Sequence, residues 1–112
     1  MEVRAIAKDT GIPAAKVRPL VDMVRGKKVE EALTLLRFTP TPKAKVVAKV
    51  VQSAVANAEN NFQIDPADLK VTRIYVDEAR SLRRYRPRSR GRVSPIRKHS
   101  CHITVIVAEQ EG

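Results

Sequence analysis

Leu69-Lys70-Val71-Thr72-Arg73-Ile74-Tyr75-Val76 and His102-Ile103-Thr104-Val105-Ile106-Val107 are two β-rich runs, and between them lies Arg83-Arg84-Tyr85-Arg86-Pro87-Arg88-Ser89-Arg90-Gly91-Arg92 with its flanks. Val, Ile, Thr and Tyr favour a pleated, half-buried surface. Two such runs around a Pro- and Gly-punctuated stretch predict one long hairpin over about 79–101, with its tip near Ser89-Arg90-Gly91. Each arm is ~10 residues and would reach ~30 Å beyond the sheet. A two-stranded ribbon of that length is not stable alone in water, so it is expected to order on a partner. In the first run the apolar phase switches between Val71 and Ile74, which predicts either a bulge or a strand buried on both faces.

The charge of the molecule sits on that hairpin. The 112 residues hold 22 Lys or Arg against 12 Asp or Glu, a net excess of +10. From Ala79 to Ala108 there is no acidic residue, yet Arg80, Arg83, Arg84, Arg86, Arg88, Arg90, Arg92, Arg97 and Lys98 all fall there. Removing those nine leaves 13 basic residues against 12 acidic, a nearly neutral remainder. Like charges at this density repel, so a strongly anionic partner is expected to neutralise them. Eight of the nine are Arg, whose planar fork bonds phosphate bidentately and stacks on bases. A membrane-surface segment would need a bulky apolar face, and here Leu82, Tyr85, Val93 and Ile96 are interrupted by Pro87, Gly91 and Pro95. Nucleic acid is the better match. A merely solvated charge run fits less well, because strands rather than a tail flank it on both sides.

Outward from the hairpin, the pattern predicts a small α+β domain. Val3, Ala5 and Ala7 alternate with Arg4 and Lys8 in a short strand, with Ile6 on the charged side, and Thr10-Gly11 ends it. From Pro13, the residues Ala14, Val17, Leu20, Val21 and Val24 mark one helical face. Pro19 would kink or tighten that helix, and Gly26 would stop it with Arg25, Lys27 and Lys28 at its negative end. Glu30 and Glu31 open a second helix with Ala32, Leu33, Leu36 and Phe38 inward. Thr41-Pro42 reads as cap and first turn of a third, whose stripe is Ala44, Val47, Ala48, Val51, Val55, Ala58 and Phe62. Lys43, Lys45, Lys49 and Gln52 take its other side. Both Phe38 and Phe62 are expected in the core, and Asn57, Asn60 and Asn61 are expected to cap the end of the third helix or to touch a partner. The length predicts one domain, residues 1–112, with a small antiparallel sheet, about three helices and the protruding basic hairpin.

Catalytic patterns fail on geometry. Asp77 and Glu78 are neighbours on a strand and point to opposite faces, so they cannot serve one substrate. His99, Cys101 and His102 cannot all face one ion from a strand, and no further Cys or His exists to complete a tetrahedral site. There is no phosphate-cradling glycine loop, and no disulfide is possible with a single cysteine. No enzyme activity, cofactor or metal is expected. No apolar run nears the ~18 residues of a membrane span, and the N-terminus lacks a secretory pattern. A soluble cytosolic protein is expected. Four aromatic residues, Phe38, Phe62, Tyr75 and Tyr85, do not make a base-stacking platform. Tyr85 alone, among arginines, could either stack on a base or pack on Pro87.

The spacing of these residues resembles the large-subunit ribosomal protein L twenty-two family. The matching residues are Arg83, Arg88-Ser89, Gly91-Arg92, His102-Ile103, Val105 and Val107 on the hairpin and last strand. Further matches are Lys16-Val17-Arg18, Val21-Asp22, Val24-Arg25-Gly26-Lys27, Ala54, Ala56-Asn57-Ala58, Asn61 and Val76-Asp77-Glu78, in the same order along essentially the whole chain. Arrangement and length are those of a bacterial or organellar type. The resemblance implies a domain on the subunit surface that binds several domains of large-subunit rRNA and aids assembly, with its hairpin in the wall of the peptide exit tunnel. Partners would then be rRNA, neighbouring ribosomal proteins and the nascent peptide, with no membrane. Implied rRNA contacts are Lys16, Arg18, Arg25, Lys27, Lys28, Arg80, Arg83, Arg84, Arg86, Arg88, Arg90, Arg92, Arg97 and Lys98. The implied tunnel tip is Arg88, Ser89, Arg90, Gly91 and Arg92. Three positions depart from the family pattern: Pro13-Ala14 replaces Ser-Pro at the first helix, Ala79-Arg80 replaces Gly-Pro, and Cys101 replaces Ser.

Two other functions fit part of this pattern. A DNA-bending protein would also carry a basic β-arm, but with an apolar wedge and a dimer face, for which Pro87 and Pro95 are weak substitutes. An RNA-processing enzyme would need the acid–base pair that is missing.

Overall fold

Alternation at the N-terminus forms β1, Glu2–Ala7, with Val3 and Ala5 buried and Arg4 and Ile6 turned outward. The computed structural model describes residues 2–8, 10–79, 82–87, 93–98 and 100–109, with 82–87 and 93–98 as backbone only. Helix α1, Ala14–Val24, buries the stripe Ala14, Val17, Leu20, Val21 and Val24 and runs unbroken through Pro19. Pro19 is exposed, so water can meet the carbonyl that its ring leaves unbonded. Pro13 stands at the N-cap without a side-chain hydrogen bond, as expected where Ser is missing. Helix α2, Val29–Phe38, follows, then α3, Pro42–Phe62, capped by Thr41, whose hydroxyl accepts from the Lys43 amide. A short 3₁₀ turn, Pro66–Asp68, leads into β2, Leu69–Glu78. Strands β3, Leu82–Pro87, and β4, Val93–Lys98, precede β5, Cys101–Glu109.

The sheet has the order β1-β5-β2, antiparallel throughout. The bulge is at Thr72: Val71 pairs with Val107, Arg73 with Ile106, and the extra residue's hydroxyl donates to the Ile106 carbonyl at 3.0 Å. Val3, Val71 and Val107 form one inward row and Ala5, Ile74 and Val105 the next. Onto this face α3 packs over β1 and β5, α1 over β2, and α2 against both helices. Valines are poor helix formers, so α3 owes its stability to this burial.

Part of the β2 edge is paired, and one carbonyl of the β1 edge accepts a side-chain hydrogen bond. On β2, the Gly26 amide donates to the Val71 carbonyl at 3.0 Å and the Val71 amide to Lys27 at 2.9 Å. The Arg25 guanidinium reaches the Ile74 carbonyl at 2.9 Å. On β1, the Asn57 side chain donates to the Arg4 carbonyl at 3.4 Å.

Three sequence expectations are corrected. Phe38 is 78% exposed, because it lies two residues beyond buried Leu36 and so about 200° around the helix. Phe62 is 46% exposed, since α3 ends there and Ile64 folds back under it instead. The cap of α3 is no Asn but Gln63, left-handed at φ 54°, with its amide donating to Glu59 and that of Ile64 to Ala58. The buried arc of α3 is also rotated: Val50 and Ala54 are fully inside, while Ala48 and Val55 are only partly so.

Strands β3 and β4 pair with each other, Leu82 opposite Lys98 through Pro87 opposite Val93, and with no other described strand. The radius of gyration is 17.1 Å and the longest dimension 66 Å, against ~13 Å for the radius of a compact chain of this length.

Candidate nucleic-acid interface

The root of the ribbon is built by the loop after β1. The Thr10 amide donates to the Cys101 carbonyl at 3.1 Å, and the Gly11 amide to the Ser100 hydroxyl at 2.9 Å. The Thr10 hydroxyl lies 3.2 Å from the Cys101 sulfur, a contact that Ser would equally make. Opposite, the Ala79 amide donates to the Ser100 carbonyl at 3.0 Å. Strands β2 and β5 are thus held together where the chain enters and leaves the Arg-rich segment. Cys101 is fully buried on the core side and His102, the next strand residue, faces the other way, so these two do not share a face; His99 lies outside the described residues.

Of the candidate cations, Arg83, Arg84 and Arg86 lie on β3, and Arg97 and Lys98 on β4. The register sets Arg83 opposite Arg97. Like charges at opposed positions destabilise a ribbon in water, so a polyanion that neutralises them also favours pairing. Arg80, Arg88, Ser89, Arg90, Gly91 and Arg92 lie outside the described residues.

The remaining candidates run along α1. Lys16 and Arg18 are exposed in its first turns, next to the clasp at the ribbon root. Lys27 and Lys28 lie past its far end, where Lys28 bridges to Lys70, ~16 Å along the helix from its start. Lys27 is 3.9 Å from Glu31. Arg25 is engaged within the protein: besides Ile74, its guanidinium bonds Asp22 at 2.6 Å.

The structure adds cations that the sequence reading did not single out. The sheet face away from the helices carries rows Ile6–Thr104–Tyr75 and Arg4–Ile106–Arg73. No described helix covers it, yet Thr104 is 5% and Ile106 8% exposed, both on the central strand β5 between residues of β1 and β2. Arg4, Lys70, Arg73 and Tyr75 are exposed there, with Arg73 3.2 Å from Glu2. The signal existed: once Thr72 is a bulge, Arg73 and Tyr75 share a face by alternation.

A nearly neutral body, an Arg-rich ribbon, Lys16 and Arg18 exposed on α1 and Lys27 and Lys28 past its end make a shape suited to binding polyphosphate. The sequence profile described as ribosomal protein L22p/L17e matches residues 5–108. The chain belongs to the L22p/L17e family of ribosomal proteins. Large ribosomal subunit protein uL22 of Dehalococcoides mccartyi is 69% identical over 109 residues, covering 97% of this chain and all of the relative. The same-named protein of Pediococcus pentosaceus is 52% identical over 110 residues, 97% of this chain and 93% of the relative. That of Pelotomaculum thermopropionicum is 49% identical over 111 residues, 99% and 98% respectively. As an L22p/L17e protein the chain is a structural constituent of the large ribosomal subunit and not an enzyme. Among the described residues no helix is long and apolar enough to cross a membrane.

Proposed function

We propose that this protein, a single domain over residues 1–112, binds large-subunit rRNA through the Arg-rich ribbon and α1, and that the ribbon tip lines the nascent-peptide exit tunnel. The carrying observation is that nine of the ten excess charges lie on one acid-free segment, within which the described strands β3 and β4 pair with each other and with no other described strand. Register on the RNA would come from phosphate contacts, with little base readout, because folded RNA is recognised mainly by shape. The resemblance of Arg88-Ser89 and Gly91-Arg92 to the family's hairpin supports the tunnel placement, and the resemblance along the rest of the chain supports a role in assembly.

If about eight phosphates are neutralised, log affinity for rRNA falls with log salt at a slope of roughly −6 to −7. Arg84→Ala with Arg88→Ala should lower that affinity and leave the melting temperature nearly unchanged. A large drop in melting temperature with unaltered affinity would assign these side chains to the fold instead. Deleting Ser89 to Arg92 should spare assembly of the subunit but alter passage of some nascent chains and access of tunnel-binding drugs. Particles with normal tunnel behaviour would count against the placement.

A further inference from the structure

Between the C-terminal half of α2, the Thr39–Pro42 turn and the first turns of α3 lies an open groove of about 690 Å³. Leu36 and Ala44 are buried on the core side of the two helices, while Leu33 and Ala48 are only partly covered. Leu33, Pro40 and Ala48 supply an aliphatic floor, and Arg37, Lys45 and Lys49 stand around it. No carboxylate lines the groove, and among the described residues none of these three cations is in an ion pair. Phe38, next in the chain to two lining residues, holds its ring in solvent.

We propose that this groove is a docking site for an acidic amphipathic helical segment of a partner protein. An aliphatic floor rewards burial of Leu or Ile side chains, and an apolar helix face in a groove is a recurrent recognition mode. Carboxylates flanking that face would meet Arg37, Lys45 and Lys49, which fixes orientation and partner choice. RNA is the poorer occupant: its phosphates would meet the three cations but leave the aliphatic floor of Leu33, Pro40 and Ala48 uncovered, so that burial would go unused. The site shares no residue with the Arg-rich ribbon, so it does not depend on the rRNA assignment.

The test uses the full-length, isotope-labelled chain and three probes, with amide chemical shifts as readout. The first probe is a synthetic 16-residue helix with Leu at i, i+3, i+4 and i+7 and Glu on its flanks. The second is the same peptide with every Leu replaced by Ser, and the third is a ten-nucleotide oligouridine. The Leu peptide should move the amides of Leu33, Ala48 and Gln52 saturably, while the Ser peptide and the oligouridine perturb only the ribbon. Lys45→Glu with Lys49→Glu should weaken the Leu peptide roughly tenfold, as expected for losing complementary charge, with the β5 amides unshifted as evidence of an intact fold. No saturable shift at the groove overturns the proposal. So does equal binding of the Ser peptide, occupation of the groove by oligouridine, or an affinity indifferent to the charge reversal.

Discussion

Arg25 separates two uses of a surface cation. Its guanidinium spans Asp22 and the Ile74 carbonyl, so it ties the end of α1 to the middle of β2. Lys16 and Arg18, nine and seven residues earlier on the same element, make no such contact among those described. Arg25→Ala should therefore lower stability by up to about 1 kcal/mol, the exposed ion pair with Asp22 adding little. Lys16→Ala with Arg18→Ala should lower RNA affinity at unchanged stability. Urea denaturation alongside RNA titration distinguishes them, and a stable Arg25→Ala protein with weakened RNA binding would reverse the assignment. From the sequence all three were equal, because nothing in Val24-Arg25-Gly26 announces a carbonyl on a strand fifty residues away. Phe38 was misplaced for the opposite reason: its apolar ring suggested the core, and only its angle from Leu36 tells otherwise.

At the scale of elements, two left-handed residues end two helices, one with the residue that geometry favours and one without. Gly26 has φ 78° and open space where a Cβ would sit, so Gly26→Ala meets backbone strain alone, about 1 to 2 kcal/mol. Gln63 has φ 54° at the end of α3 and already bears that strain. Gln63→Gly should be stabilising, by about 1 kcal/mol at most, since Gly also gains freedom in the unfolded chain. Opposite signs in chemical denaturation are the expected result, and a destabilised Gln63→Gly protein would mean that the Gln side chain supports the cap. The Gly26 stop was legible because Gly after an apolar-periodic segment is an ordinary helix end. The Gln63 cap was not, since three asparagines just before it were better candidates by residue type.

For the whole molecule, stability is expected to divide between domain and ribbon. The inward rows of β1, β5 and β2 are sealed by three helices, whereas β3 and β4 pair, among the described strands, with each other alone. In hydrogen exchange on the free protein, the β5 amides should be the most protected and those of β3 and β4 among the least. The ribbon should gain protection when rRNA is added. Ribbon amides as slow as those of β5 without RNA would show that the pairing needs no polyanion, contrary to the repulsion expected from Arg83 opposite Arg97.

The sequence by itself determined the fold class, the helix α1 stripe, a phase switch after Val71 and the segregation of charge onto one acid-free segment. Each of these is a local pattern: a period, a phase switch, or a run without acids. Family membership was equally legible, since spacings such as Arg83 to Arg88-Ser89 survive in the linear chain. Only the tertiary structure decided which cations are already engaged, which edge of β2 is closed by Arg25 to Lys27, and that Thr10 and Gly11 clasp the ribbon root. It also decided that α2, the Thr39–Pro42 turn and α3 line a basic-rimmed groove. Those features depend on where distant segments meet, and the free energy that selects such meetings comes from the shared core rather than from any one stretch of the chain.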